Sequence, residues 1–185
     1  MKIKYNSPLI LGFVFLSLAA MILNIVTAGA SNRLLFMTYH SSLADPLTYV
    51  RFFGHALGHS GWQHFIGNMS YILLLGPMLE EKYGAKRLLG VMALTALITG
   101  VVNYIFFPNI ALCGASGIVF AFILMTSFTS FKKGEIPVTF ILVAIVYLGQ
   151  QVYDGLFVKD NISNMAHIVG GIVGAVFGYI LGKKK

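Results

Sequence analysis

The chain has 185 residues, 57% hydrophobic and 10% charged, with a mean hydropathy of +0.82; soluble domains carry about 25% charged residues, so a soluble globular domain is excluded. The net charge of +7 comes from basic residues scattered at the ends of apolar segments, which points to orientation in a lipid bilayer and away from nucleic acid. Cys113 is the single cysteine; no intramolecular disulfide is possible, and it reads as a small buried hydrophobe rather than a reactive thiol.

Apolar runs bounded by charges, Pro and Gly predict six spans, at about 8–27, 63–79, 88–107, 115–131, 136–152 and 165–182. The expected architecture is an all-α polytopic membrane protein, one domain over residues 1–185. Lys2 and Lys4 ahead of an apolar run that ends in Ala28-Gly29-Ala30 imitate a secretory signal. The run exceeds the 7–15 residues of a signal core, so a retained first span is expected.

The connection from the first span to the second is rich in Phe, Tyr, Trp and His. It is too polar to span and too aromatic for a free loop, which predicts partly embedded interfacial helices. Within it, His55 and His59 have the i, i+4 spacing of zinc ligands, but Ala56 stands where H-E-x-x-H has its glutamate. No metal site is expected; these histidines are read as hydrogen-bonded ties to neighbouring helices.

The second span opens with "HFIGN", which puts His64 and Asn68 on one helix face. The fourth opens at "GASG", with Ser116 among small residues. On that segment alone, helix packing and a nucleophilic role both remain open. The sixth, "AHIVGGIVGAVFGYILG", begins near His167 and carries Gly170, Gly174, Gly178 and Gly182 at intervals of four. Such a stripe lets two membrane helices nearly touch, and Gly114, Ala115 and Gly117 offer a matching surface beside Ser116.

Taking the N-terminus as inside, alternate connections hold ten basic residues inside and three outside, the latter being Arg33, Arg51 and Lys159. The positive-inside rule then predicts both termini in the cytoplasm and an even number of spans. Spans two, four and six all start outside, so Ser116, His167, His64 and Asn68 are expected at one depth. Polar groups there are costly, and are functional candidates by default. His167 is the only histidine after His64 and supplies the base a serine needs. His64, Asn68 and the Ser116 N–H are the corresponding oxyanion donors, although His64 and Asn68 read equally well as an interhelical hydrogen-bonding pair. The acids Asp45, Glu80, Glu81, Glu135, Asp154 and Asp160 all fall on connections or span ends, so the expected arrangement is a Ser-His dyad, with histidine orientation left to packing.

In this order, "RFFGHALGHSGWQHFIGN", "GASG" and "AHIVGGIVG" resemble the rhomboid intramembrane serine proteases of the compact six-span bacterial type, over essentially Tyr49 to Lys183. The resemblance implies a six-transmembrane-helix rhomboid-like bundle, Ser116 as nucleophile, His167 as base and acid, and His64, Asn68 and the Ser116 N–H as oxyanion stabilisers. It implies no metal and no cofactor, transmembrane protein substrates cut near their outer ends, and structural roles for Arg51 and Glu80. Two positions depart from the family pattern: Val50 replaces a frequent Trp, and Phe120 a frequent Tyr whose ring stacks on the histidine.

The sequence thus predicts a serine endopeptidase of the plasma membrane, with the fifth span and residues 152–164 as a movable gate and cap. The alternative is a rhomboid-like protein that binds client helices without cutting them. A small transporter is disfavoured, because no buried acid and no inverted repeat are visible.

Overall fold

The structure, a computed structural model, describes residues 5–129, 135–157 and 164–182. It is all-α: seven α-helices and one π-helical turn, with an isolated bridge between Thr38 and Leu112 as the only extended pairing among the described residues. The helices are α1 (Pro8–Val26), α2 (Pro46–Gly54), α3 (Trp62–Tyr83), α4 (Ala85–Phe106), α5 (Ser116–Thr126), α6 (Val138–Phe157) and α7 (Asn164–Gly182), and the π-helical turn is Asn32–Phe36. By length and composition α1, α4 and α7 can each cross a membrane, while α5 and residues Val138–Tyr153 of α6 are shorter apolar helices.

Helix ends follow local chemistry. Pro8 and Pro46 stand at the first positions of α1 and α2, where a missing N–H costs nothing. The start of α1 is also capped from outside its own chain segment: the Glu80 carboxylate accepts the N–H groups of Leu9 and Ile10, each at 3.1 Å. This explains why α3 runs past the expected boundary at 79. Glu80 is only 7% exposed; it caps a neighbouring helix rather than ending its own. α3 stops instead at Gly84, whose φ of +83° suits glycine and turns the chain directly into α4.

The connection between α1 and α3 is helical, as expected, and Arg51 organises it. Its guanidinium donates to Asp45 Oδ2 at 2.7 Å, Thr48 Oγ1 at 3.1 Å and Ser41 Oγ at 3.2 Å, and lies 4.7 Å from the Tyr39 ring centroid. Asp45 in turn caps α2 by accepting the Leu47 N–H at 2.9 Å. Val50, the position that departs from the family pattern, is exposed. Anchoring rests on Arg51 beside it.

The innermost helix is α5. Its 11 residues extend only about 17 Å at 1.5 Å each, roughly half a bilayer core. Eight of the 11 are buried, against α7, α3, α4 and α6. The predicted fourth span, 115–131, is therefore long at its end: the helix closes at Thr126, turns follow to Thr129, and residues 130–134 lie outside the described set. α6 errs the other way, continuing five residues beyond the expected 152. The first part of the expected 152–164 cap is thus helix, and residues 158–163 lie outside the described set.

The glycine stripe of α7 does face α5. A Cβ added to Gly170 would lie 2.1 Å from the Gly117 carbonyl oxygen, and one on Gly174 would lie 2.2 Å from that of Ala121. Gly178 backs onto Met125 and Phe128. The facing small residues are thus Gly117 and Ala121, whereas Gly114 turns toward His64 and Asn68.

Candidate active site

Ser116 is the first residue of α5, so its N–H is among those a helix start leaves without an intrahelical partner. The nine residues between α4 and α5 need other partners for their backbone, and three ties, two of them long-range, help to supply them. Thr38 and Leu112 exchange N–H···O bonds of 2.9 and 2.8 Å. The Asn103 amide donates to the Ile110 carbonyl at 2.9 Å, and the Gly114 N–H donates to the His55 carbonyl at 2.8 Å. Gly114 has φ +127°, and a Cβ there would meet the His64 ring at 2.6 Å. Both its conformation and its close approach require glycine.

His167 sits in the first turn of α7, half-buried. Phe120, one turn after Ser116, stacks on its imidazole with centroids 4.5 Å apart and planes 5° from parallel. The ring stack that a Tyr would give is kept without the hydroxyl. His167 Nδ1 lies 2.6 Å from Gln151 Oε1 on α6. An amide oxygen only accepts, so Nδ1 carries the hydrogen and the Nε2 lone pair is the basic one. Orientation is therefore not left to packing alone. Sequence reasoning passed over Gln151, although Gln150 and Gln151 are a polar pair inside an apolar helix, a placement that usually has a reason.

Ser116, His167, His64 and Asn68 all line one open cavity of about 850 Å³. They come from α5, α7 and α3, and from widely separated parts of the chain. Asn68 is 7% exposed, and its Nδ2 is a buried donor with no protein partner. Leaving such a group unpaired costs about 1–3 kcal/mol, so it is available to an incoming acceptor. Ser60 Oγ lies 3.1 Å from His64 Nδ1. A hydroxyl donating there leaves the proton on His64 Nε2, the edge that approaches Gly114.

The connection histidines divide. His55 ties α2 to α4 as expected, with Nε2 2.9 Å from the Ala96 carbonyl and 3.4 Å from Thr99 Oγ1. His59 does not tie a neighbouring helix through its ring, whose Nδ1 faces the Leu57 carbonyl at 3.1 Å while the ring packs edge-on against His64 and Phe65. Its backbone carbonyl is the tie, accepting from Asn32 at 3.0 Å. Burial pulls both imidazoles down to about 4, so both are neutral near pH 7. Among the described residues no three His, Cys, Asp or Glu side chains gather as a metal site. Cys113 is not fully buried: it lines the cavity, and desolvation pushes its thiol up to about 11. It stays protonated near pH 7 and is a poor nucleophile.

Residues 46–184 match the rhomboid domain. The chain is 28% identical over 157 residues to the rhomboid protease GlpG of Haemophilus influenzae, covering 82% of this chain and 80% of that one. It is 33% identical over 159 residues to the rhomboid-related protein 2 of Mus musculus, covering 74% of this chain and 52% of that protein. A GlpG of Yersinia pestis matches 93% of this chain at 27% identity, over 62% of its own length. The chain thus spans between about half and four-fifths of these relatives. With the matched domain covering most of its length, this chain belongs to the rhomboid family.

Proposed function

We propose that the chain is an intramembrane serine endopeptidase that cuts transmembrane segments of other proteins through an acyl-enzyme on Ser116. The observation that carries this reading is the single cavity on which Ser116, His167, His64 and Asn68 converge. Relatives that bear the name rhomboid protease support it. The bundle is read as six membrane spans formed by α1, α3, α4, α5, α6 and α7, in one domain, with both termini in the cytoplasm and the cavity opening toward the outer face of the plasma membrane.

In the proposed reaction, His167 Nε2 takes the Ser116 Oγ proton as Oγ bonds to the substrate carbonyl carbon. The oxygen that becomes negative is stabilised by the Asn68 amide, the His64 Nε2–H and the Ser116 backbone N–H. Collapse of the tetrahedral adduct breaks the C–N bond, and the imidazolium passes its proton to the leaving amine. Water then attacks the ester with His167 again as base, which frees the carboxylate product and restores Ser116. Neither a metal nor a cofactor is needed. A helical substrate hides its carbonyls in hydrogen bonds, so segments that unwind easily, rich in Gly and small residues, are the preferred substrates.

Purified protein reconstituted in liposomes with a transmembrane substrate tests this. Cleavage by the natural chain and its loss in both Ser116→Ala and His167→Ala are expected. Equal cleavage by either variant would sink the dyad, and binding of the substrate without any cleavage would favour a non-catalytic holder of client helices.

A further inference from the structure

Building on the reading of His167 as the base, we infer that Gln151 is a positioning residue, fixing the imidazole face and tautomer from α6 in the place a carboxylate fills in Ser-His-Asp sites. Two contacts are needed because the ring has two ways to go wrong. The Phe120 stack at 4.5 Å and 5° sets the plane of the imidazole. It does not set which edge points where: a half-turn about Cβ–Cγ leaves the plane and the stack unchanged, yet exchanges each nitrogen for a carbon. The Gln151 oxygen, 2.6 Å from Nδ1, distinguishes these two states, since only one of them offers it a donor.

The described surroundings of the ring hold few titratable groups. The titratable groups sharing the cavity are His64 and Tyr71 from α3 and Cys113 from the α4–α5 segment. Tyr147 of α6 packs edge-on to Phe120. The adjoining space of about 310 Å³ between α3, α5 and α6 is lined by Tyr71, Tyr147, Gln150 and Gln151, again without an acid among the described residues. The Gln151 amide is itself neutral, so this contact orients the base without the stabilisation that a carboxylate in its place would give to an imidazolium. Replacing the amide by an acid should consequently change the basicity of His167 and keep its orientation.

The test measures kcat, KM and the pH profile of kcat/KM for the full chain in liposomes cutting a transmembrane peptide, together with thermal unfolding. Gln151→Leu, which cannot accept a hydrogen bond, should lower kcat roughly 10–100-fold with KM nearly unchanged. Gln151→Glu should recover most of that rate at alkaline pH and move the acid limb of the profile upward by about 1–2 pH units. A natural kcat in Gln151→Leu, or a loss that Gln151→Glu neither rescues nor shifts in pH, would overturn the inference. Should Gln151→Leu unfold, the acid limb of Gln151→Glu decides alone. His167→Ala, measured alongside, separates the two readings: if it retains activity the dyad falls, and if it is dead while Gln151→Leu is normal only the role of Gln151 falls.

Discussion

Adding one methyl group to Gly170 perturbs the α5–α7 approach at the turn that holds the proposed nucleophile and base. Its Cβ would lie 2.1 Å from the Gly117 carbonyl oxygen and 2.8 Å from the Gly117 Cα. Those are backbone atoms, which cannot swing aside. Ordinary contact begins near 3.4 Å, so the helices must part by about 1.3 Å locally. Gly117 follows Ser116 directly and Gly170 lies one turn from His167, so the opening falls on the Ser116–His167 separation. Misplacement of about 1 Å costs on the order of 100-fold in rate, and overpacking costs about 1–3 kcal/mol of stability. Alanine favours the helix by up to about 1 kcal/mol over glycine, so weaker helicity of α7 cannot be the cause of a loss. Gly170→Ala should therefore lower kcat for a transmembrane peptide in liposomes roughly 100-fold and lower the unfolding temperature. Gly90→Ala, whose new Cβ meets nothing within 4 Å, should do neither. If Gly170→Ala keeps kcat within about twofold and unfolds normally, close approach of α5 and α7 is not what brings nucleophile and base together.

Asn68→Ala and His64→Ala should each lower kcat by about 10–1000-fold with unfolding nearly unchanged, and an unaffected rate would remove that residue from the oxyanion site. Glu80→Ala leaves the Leu9 and Ile10 donors without their carboxylate and should cost about 1–3 kcal/mol in detergent unfolding; an unchanged midpoint would contradict the capping role. The Arg51 guanidinium and the Leu47 N–H hold the Asp45 carboxyl below its usual value. Its contribution is fully present above the unfolded value near 3.8 and is lost as pH falls through the lower folded value. The natural chain should thus lose stability at acid pH by a step that Asp45→Asn lacks, read by comparing their unfolding temperatures from pH 6 down to roughly pH 3.

Long apolar helices were legible because lipid demands them: α1, α4 and α7 begin and end within three residues of the sequence expectation. Boundaries failed where a charge had a tertiary partner. Glu80 looked like the end of a span and is a buried cap for α1, which no local signal reveals. The shortness of α5 reflects its place among four other helices, where protein rather than lipid surrounds it. In the site, residues with unusual chemistry for a bilayer stood out by type, namely Ser116, His167, His64 and Asn68. The supports did not. Thr38 and His55 hold the segment before Ser116 through backbone atoms, which carry no residue signature. Gln151 was visible as a polar residue within a span, but choosing it over Gln150 depends on helical phase and on where α7 lies.

The central claim is that Ser116 is an activated nucleophile, and covalent labelling tests it most directly. The protein in detergent, treated with a fluorophosphonate, should gain one adduct that peptide mass spectrometry places on Ser116, and labelling should vanish in Ser116→Ala and nearly vanish in His167→Ala. Labelling that persists in Ser116→Ala, or an adduct on any other residue of the natural chain in place of Ser116, would contradict the account.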